Sequence, residues 1–360
     1  MKTGRSIQET CREIERQAAA KVDYQVNTSR IFMEPYEGTP MLRVLDEQGE
    51  DLVEPMDIRQ TAHEQIGTYL NIPRKYYDRM QTEDPDLLAC NVNSWFRKNP
   101  EQRMIRTMDG HARAFLSNRY RRIDNLDVAR ATLPIIAEMP EARYESCEIT
   151  DDYLFLKVVN PRLTAEVVPG DIVQAGVVIS NSETGRGAVC VQPLVYRLIC
   201  SNGMTVNEAR TRRNHVGRIN LSEENFSIYR DETLAVDDQA FIMKLQDTVR
   251  AAVEEAKFAF VVDKMREAAG IKLNTAKIPD IVKMTGSSLG YTDSEGESIM
   301  KYLIEGGDLS LYGLANAVTR YSQDVESYDR ASKLEEIGYN VLTMPADLYR
   351  SISHVDSLVA

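Results

Sequence analysis

The chain is 360 residues long, 43% hydrophobic and 7% aromatic, with a formal charge of -12 at pH 7. A chain of that size and composition builds one to three domains around a sizeable core, which excludes a disordered polymer. No run reaches the ~18 apolar residues of a membrane helix. The N-terminal MKTGRSIQETCREIERQ lacks the apolar centre of a signal peptide, so the expected location is the cytoplasm.

Residues 5–22 read as a helix, opened by the capping-box pair Ser6 and Glu9. Residues 23–57 carry Pro35, Gly38, Pro40, Gly49 and Pro55 and read as irregular chain or short strands. Residues 58–99 read as three short helices, restarted near Pro73 and Pro85 because proline suits a helix's first turn. The period then changes to two. Residues 103–107 and 111–117 read as strands joined by the hairpin signal Asp109-Gly110. Residues 125–139 read as a helix capped by Asp124 or Asn125. Residues 143–149 and 153–159 form a second hairpin around Thr150-Asp151-Asp152.

Residues 171–180 and 188–200 are rich in Val and Ile and read as buried strands on either side of the polar loop 181–187. A further turn sits at Ser201-Asn202-Gly203. From residue 231 to 269 the period is helical, with Phe241, Leu245, Val249, Val253, Ala256 and Phe260 on one stripe. The chain then reads as helical to about Gly338, with a second capping box at Ser294 and Glu297 and a break at Gly306-Gly307. Together these elements predict an α+β fold: an antiparallel sheet core with flanking helices and a helical C-terminal region. The expected organisation is an N-terminal helix and irregular segment (1–57), an α+β core (58–220) and a helical region (221–360).

Charge is unevenly spread. Residues 97–130 hold nine Arg/Lys against four Asp/Glu, and residues 186–218 hold six Arg against Glu208. From residue 219 onward there are 14 basic and 24 acidic residues. The asymmetry points to a middle that binds a polyanion, followed by an acidic region; arginines scattered over several faces would give the same count. The five cysteines (Cys11, Cys90, Cys147, Cys190, Cys200) are odd in number and widely spaced, which predicts neither a disulfide framework nor a zinc site.

No familiar catalytic motif is present: GxSxG, HExxH, the phosphate loop GxxxxGK[ST] and GxGxxG are all missing. The four histidines lie far apart. Glu148, Asp151 and Asp152 cluster at a hairpin, as metal-dependent nucleases require, but acidic hairpin tips are common. The segment RAFLSNRYRRIDN (residues 113–125) is more informative. Arg113, Arg119, Arg121 and Arg122 bracket Tyr120 between a strand and a helix. Guanidinium groups grip phosphates, and a tyrosine face can stack on an unpaired base. A connector whose arginines pair with Asp124 and Asp127 would read identically. Arg197, Arg210, Arg212 and Arg213 supply a second basic group. The loop 180–185 reads as a plain hairpin loop or a backbone anion nest.

RAFLSNRYRRIDN, then GDIVQAGVVISNSETGRGAV (170–189), then YRLICSNGM (196–204), with LYGLANAVTRY (311–321) later, resemble the phage/plasmid-like protein family, a domain of unknown function. The likeness runs over roughly residues 55–345. It implies residence on a mobile element in a bacterial host cell and no particular activity. The strand-helix-strand order from Tyr120 onward is also similar to the Erf and Rad52-like single-strand annealing proteins. That likeness implies a basic groove for single strands and assembly into rings or arcs.

The leading expectation is a non-enzymatic, cofactor-free protein that binds or anneals single-stranded nucleic acid in recombination or replication, as a homo-oligomer larger than a dimer. Arg113, Arg119, Arg121, Arg122, Arg197, Arg210, Arg212 and Arg213 would contact phosphate, and Tyr120 would stack. The alternatives are a protein-interaction module with an acidic working surface and, more distantly, a metal-dependent nuclease using Glu148, Asp151 and Asp152.

Overall fold

A computed structural model of the chain describes residues 1–206, 211–213, 231–252, 254–345 and 349, with backbone alone for 211–213, 231–235 and 238. The first helix, α1 (Ile7–Ala20), is opened by the expected capping box: Ser6 and Glu9 bond each other's backbone amides. Residues 23–57, read from sequence as irregular chain or short strands, lie mostly in four strands: β1 (Lys21–Asn27), β2 (Ile31–Tyr36), β3 (Thr39–Leu45) and β4 (Asp51–Ile58). The breakers fall where sheets tolerate them. Pro35 faces Pro40 beside the Glu37-Gly38 turn on an outermost strand, and Pro55 sits where the β3–β4 register shifts.

Helices α2 (Gln60–Tyr69), α3 (Arg74–Glu83) and α4 (Pro85–Lys98) follow as expected. Pro85 takes the first turn of α4, and Asp84 accepts the Leu87 amide. Strands β5 (Gln102–Met108) and β6 (His111–Ser117) flank the Asp109-Gly110 turn, both of whose residues have positive φ. The first sheet runs β1-β5-β6-β4-β3-β2. It is antiparallel except for a short parallel β4–β6 contact. Helices α2–α4 cover one face, burying Ile66, Tyr77, Leu88, Val92 and Phe96 against Ile31, Met33, Leu42, Ile105 and Phe115.

After α5 (Asn125–Ala137) come β7 (Arg143–Ile149), β8 (Leu154–Glu166), β9 (Ile172–Asn181), β10 (Val189–Arg197), β11 (Asn202–Thr205) and β12 (Thr211–Arg213). The second sheet runs β11-β10-β9-β8-β7, with β12 pairing β10, and every pairing is antiparallel. Its central strands are apolar on both faces because helices cover both faces.

The helical stripe expected to be one element is two: α6 (Asp231–Ala252) and α7 (Glu255–Gly270). The break takes the chain from one part of the core to another. Phe241, Leu245 and Val249 pack with α1 and α5 over Val177, Ile179 and Val191. Phe258, Val261 and Met265 of α7 join a second helical layer that packs with Val173, Ala175 and Val195, and Phe260 is left exposed. That layer is completed by α8 (Ile278–Leu289), α9 (Asp293–Gly306), α10 (Leu311–Tyr321) and α11 (Tyr328–Leu342). The capping box of α9 is Thr292 and Glu295 rather than Ser294 and Glu297. The architecture is α+β with two antiparallel sheets and a helical C-terminal region. Among the described residues no helix is long and apolar enough to cross a membrane.

Candidate nucleic-acid interface

The two sheets meet at a buried polar network. Its centre is Glu183, in the β9–β10 loop, which is 2% exposed. Its carboxylate accepts from Lys21 Nζ (3.0 Å), Arg113 Nη1 (3.2 Å) and the Asn125 amide at the start of α5 (2.7 Å). A carboxylate thus takes the anion position that a helix N-terminus favours. Arg106, also buried, donates Nε to Asp23 (2.9 Å), Nη2 to Asp124 (2.7 Å) and Nη1 to the Glu183 carbonyl (3.0 Å). Lys21 also reaches Asp124 at 2.8 Å. Asn181 holds the Ile123 carbonyl and the Asn125 side chain. Three cations from the first sheet thus face Asp23 of that sheet and two carboxylates of the second unit. Burial raises the Asp124 carboxyl, but Arg106 and Lys21 more than offset this and hold it below its usual value.

The loop 181–187 is therefore an ordinary hairpin connection whose residues 181–184 are buried. Thr184 and Thr61 both donate to Asp152, at 2.9 and 2.8 Å, and Gln65 donates to the Thr184 carbonyl. Gly185 has φ +79, and a Cβ there would lie 2.7 Å from Leu116, so the turn takes glycine on two counts.

The residues expected to bind nucleic acid separate into groups. Arg113 is turned inward to Glu183. Tyr120 donates its hydroxyl to the carbonyls of Ser182 and Glu183 (3.2 and 3.4 Å), and burial raises its pKa. Arg197 is paired with Asp171 at 2.7 Å. Arg121 reaches Asp237 on α6 at 2.6 Å. Arg119 is exposed and forms no ion pair with a described residue; Arg122 is exposed and only 3.4 Å from Asp23 at its nearest approach. Arg210 lies outside the described residues, as do the side chains of Arg212 and Arg213. The three acidic residues of the nuclease alternative are separately engaged. Glu148 pairs with Arg5, and Asp152 takes the two threonines and Arg186; Asp151 is held by its backbone, whose carbonyl accepts from Arg113. Among the described residues no group of three or more His, Cys, Asp or Glu could hold a metal ion. The five cysteines are free thiols, Cys147 and Cys190 being buried.

Beside the exposed arginines lies a cleft of about 470 Å³ between α5 and α6. Ile123, Ala131, Phe241 and Ile242 supply apolar lining; Arg122, Asp127, Arg130, Gln239 and Gln246 supply polar groups. Asp127 is committed to the α5 cap, accepting the Asp124 amide at 3.2 Å. Arg130 is exposed and, among the described residues, has no ion-pair partner. The sequence reading missed Arg130, Gln239 and Gln246. The available signal was the i, i+3, i+4 spacing of Asp127, Arg130 and Ala131, which places them on one helical face. Nothing in the sequence announces which face α6 brings against it.

Over residues 114–338 the chain matches the family described as Domain of unknown function (DUF932). The chain belongs to that family. No curated protein and no solved structure matches it.

Proposed function

We propose that this is a nucleic-acid-binding protein of a phage or plasmid, acting on single strands in recombination or replication without catalytic chemistry of its own. The observation that carries the reading is the pair of guanidinium groups, Arg122 and Arg130, lining a partly apolar cleft, with Arg119 exposed nearby in sequence. Unpaired strands need that combination: cations for the phosphates and apolar surface for exposed bases. The likeness to single-strand annealing proteins adds assembly into homo-oligomers larger than dimers, in the host cytoplasm. Heterologous assembly needs two different complementary patches. Phe260, exposed on α7, is one apolar element available for such a contact.

The test is a titration with single- and double-stranded oligonucleotides at several salt concentrations, with light scattering of the free and bound protein. Three phosphate contacts predict a slope of log affinity against log salt near about -2 for a single strand. Absence of binding at low salt refutes the reading. A second reading, a protein-interaction module of a mobile element, is favoured by the internal pairing of Arg106, Arg113, Arg121 and Arg197, which removes much of the basic charge counted in the sequence. It predicts no salt-dependent oligonucleotide binding.

A further inference from the structure

We infer that the α5–α6 cleft takes one unstacked nucleotide of a single strand, with its base on the apolar floor and its phosphate on Arg122 and Arg130; this rests on the proposed function. The cleft, about 470 Å³ and open to solvent, has the volume of small-ligand sites, roughly 300–1,000 Å³, without enclosing its occupant. The lining separates by chemistry. Ile123, Ala131, Phe241 and Ile242 offer a hydrocarbon surface to a flat heteroaromatic ring. Two guanidinium groups offer bidentate donors to a phosphate. Two carboxamides, Gln239 and Gln246, are the side chains suited to the mixed donors and acceptors of a base edge. Gln246 Nε2 already donates to the Ala131 carbonyl at 3.2 Å, which fixes that amide and turns its oxygen into the remaining acceptor.

Charge also favours a phosphate over a cationic ligand. The one acid in the lining, Asp127, accepts the Asp124 amide at the helix cap, Arg122 has Asp23 at 3.4 Å, and Arg130 has no ion-pair partner among the described residues. The contact between Arg121 and Asp237 joins the approach to α5 with α6. A base held here is removed from its stack, as recognition of unpaired strands requires, whereas a duplex offers no free base to insert.

The experiment compares a thirty-nucleotide thymidine oligomer with an abasic backbone of equal length, using the wild-type chain and the double variant Arg130→Ala, Gln239→Ala. Both side chains are exposed, and circular dichroism checks that the variant is folded. The expected result is that wild type prefers the base-bearing oligomer by roughly tenfold or more, and that the variant loses this preference along with affinity. Wild-type binding without preference for bases, or an unchanged preference in the variant, overturns the cleft assignment while leaving strand binding intact. No binding of either oligomer overturns both.

Discussion

Replacing Glu183 by Gln tests whether the motif arginines serve the fold rather than a ligand. The substitution keeps shape and one acceptor oxygen but removes the charge facing Lys21, Arg113 and the Asn125 amide. Lys21 keeps Asp124 at 2.8 Å, so its loss is partial. Arg113 keeps only uncharged acceptors, the Met108 sulfur at 3.7 Å and the Asp151 carbonyl at 3.4 Å, so the charge of a buried guanidinium is left nearly uncompensated. Removing one partner of such a buried pair costs about 3–5 kcal/mol, a large share of a total stability of roughly 5–15 kcal/mol. In thermal unfolding that corresponds to a drop on the order of 10 °C for a chain of this size. The control is Asp109→Asn, which breaks a pair with Arg16 that is nearly half exposed on both sides and costs about 0–1 kcal/mol. Urea unfolding of both variants gives the comparison. Glu183→Gln within 1 kcal/mol of wild type would refute the idea that this carboxylate joins the sheets.

Four further outcomes follow from the same geometry. Asp124 is held below its usual value of 3.8 in the folded chain, so its contribution is present above pH 4 and lost as pH falls; the stability gap between wild type and Asp124→Asn should narrow in acid titrations below that point. His63 is buried beside Tyr77, at 2.9 Å from its hydroxyl, and burial lowers its pKa from 6.5 to about 4. Only the unfolded chain takes up that proton between those values, so stability falls as pH drops from 6.5 to 4, and His63→Gln should flatten this slope in pH-dependent melts. Lys157 and Glu335 form a fully buried pair at 2.8 Å between β8 and α11; Lys157→Met alone should cost about 3–5 kcal/mol, and Lys157→Met with Glu335→Leu should recover most of it. Gly185→Ala should lower the melting temperature, because the residue needs a positive φ and its new methyl meets Leu116.

Local signals were legible where local chemistry governs. The Asp109-Gly110 hairpin, the three helices between 60 and 98 and the Ser6–Glu9 box all depend on residues within a few positions of one another. The strands between 21 and 58 were read only as one of two alternatives because their prolines and glycines look like breakers in isolation. They are harmless only at an outermost strand, a turn or a bulge, and sheet order is not written in the local pattern. The α6–α7 break was hidden because the apolar spacing continues through it while the packing partners change. Glu183 was invisible as a hub for a similar reason: Lys21, Arg106 and Arg113 lie 162, 77 and 70 residues away. The motif was recognisable, but its role depends on contacts that no spacing rule encodes.

The net charge of -12 bears less on polyanion binding than its size suggests. Phe258, Val261 and Met265 of α7 pack with α8 to α11 and with Val173 and Ala175, whereas α5 and α6 pack over Val177 and Ile179. At physiological ionic strength the screening length is about 8 Å, so exposed carboxylates farther away than that are felt weakly at Arg122 and Arg130. What a strand meets is the local balance: Arg122 and Arg130 in the cleft, with Asp127 at the helix cap, Asp23 at 3.4 Å from Arg122 and Asp237 engaged by Arg121. Lowering the salt lengthens the screening to about 30 Å at 0.01 M, which brings the distant acids into play just as phosphate contacts strengthen. The two effects oppose, so the dependence of affinity on salt should be linear at moderate ionic strength and bend toward weaker gain at the lowest. A protein whose cations were all neutralised internally would show neither the slope nor the bend.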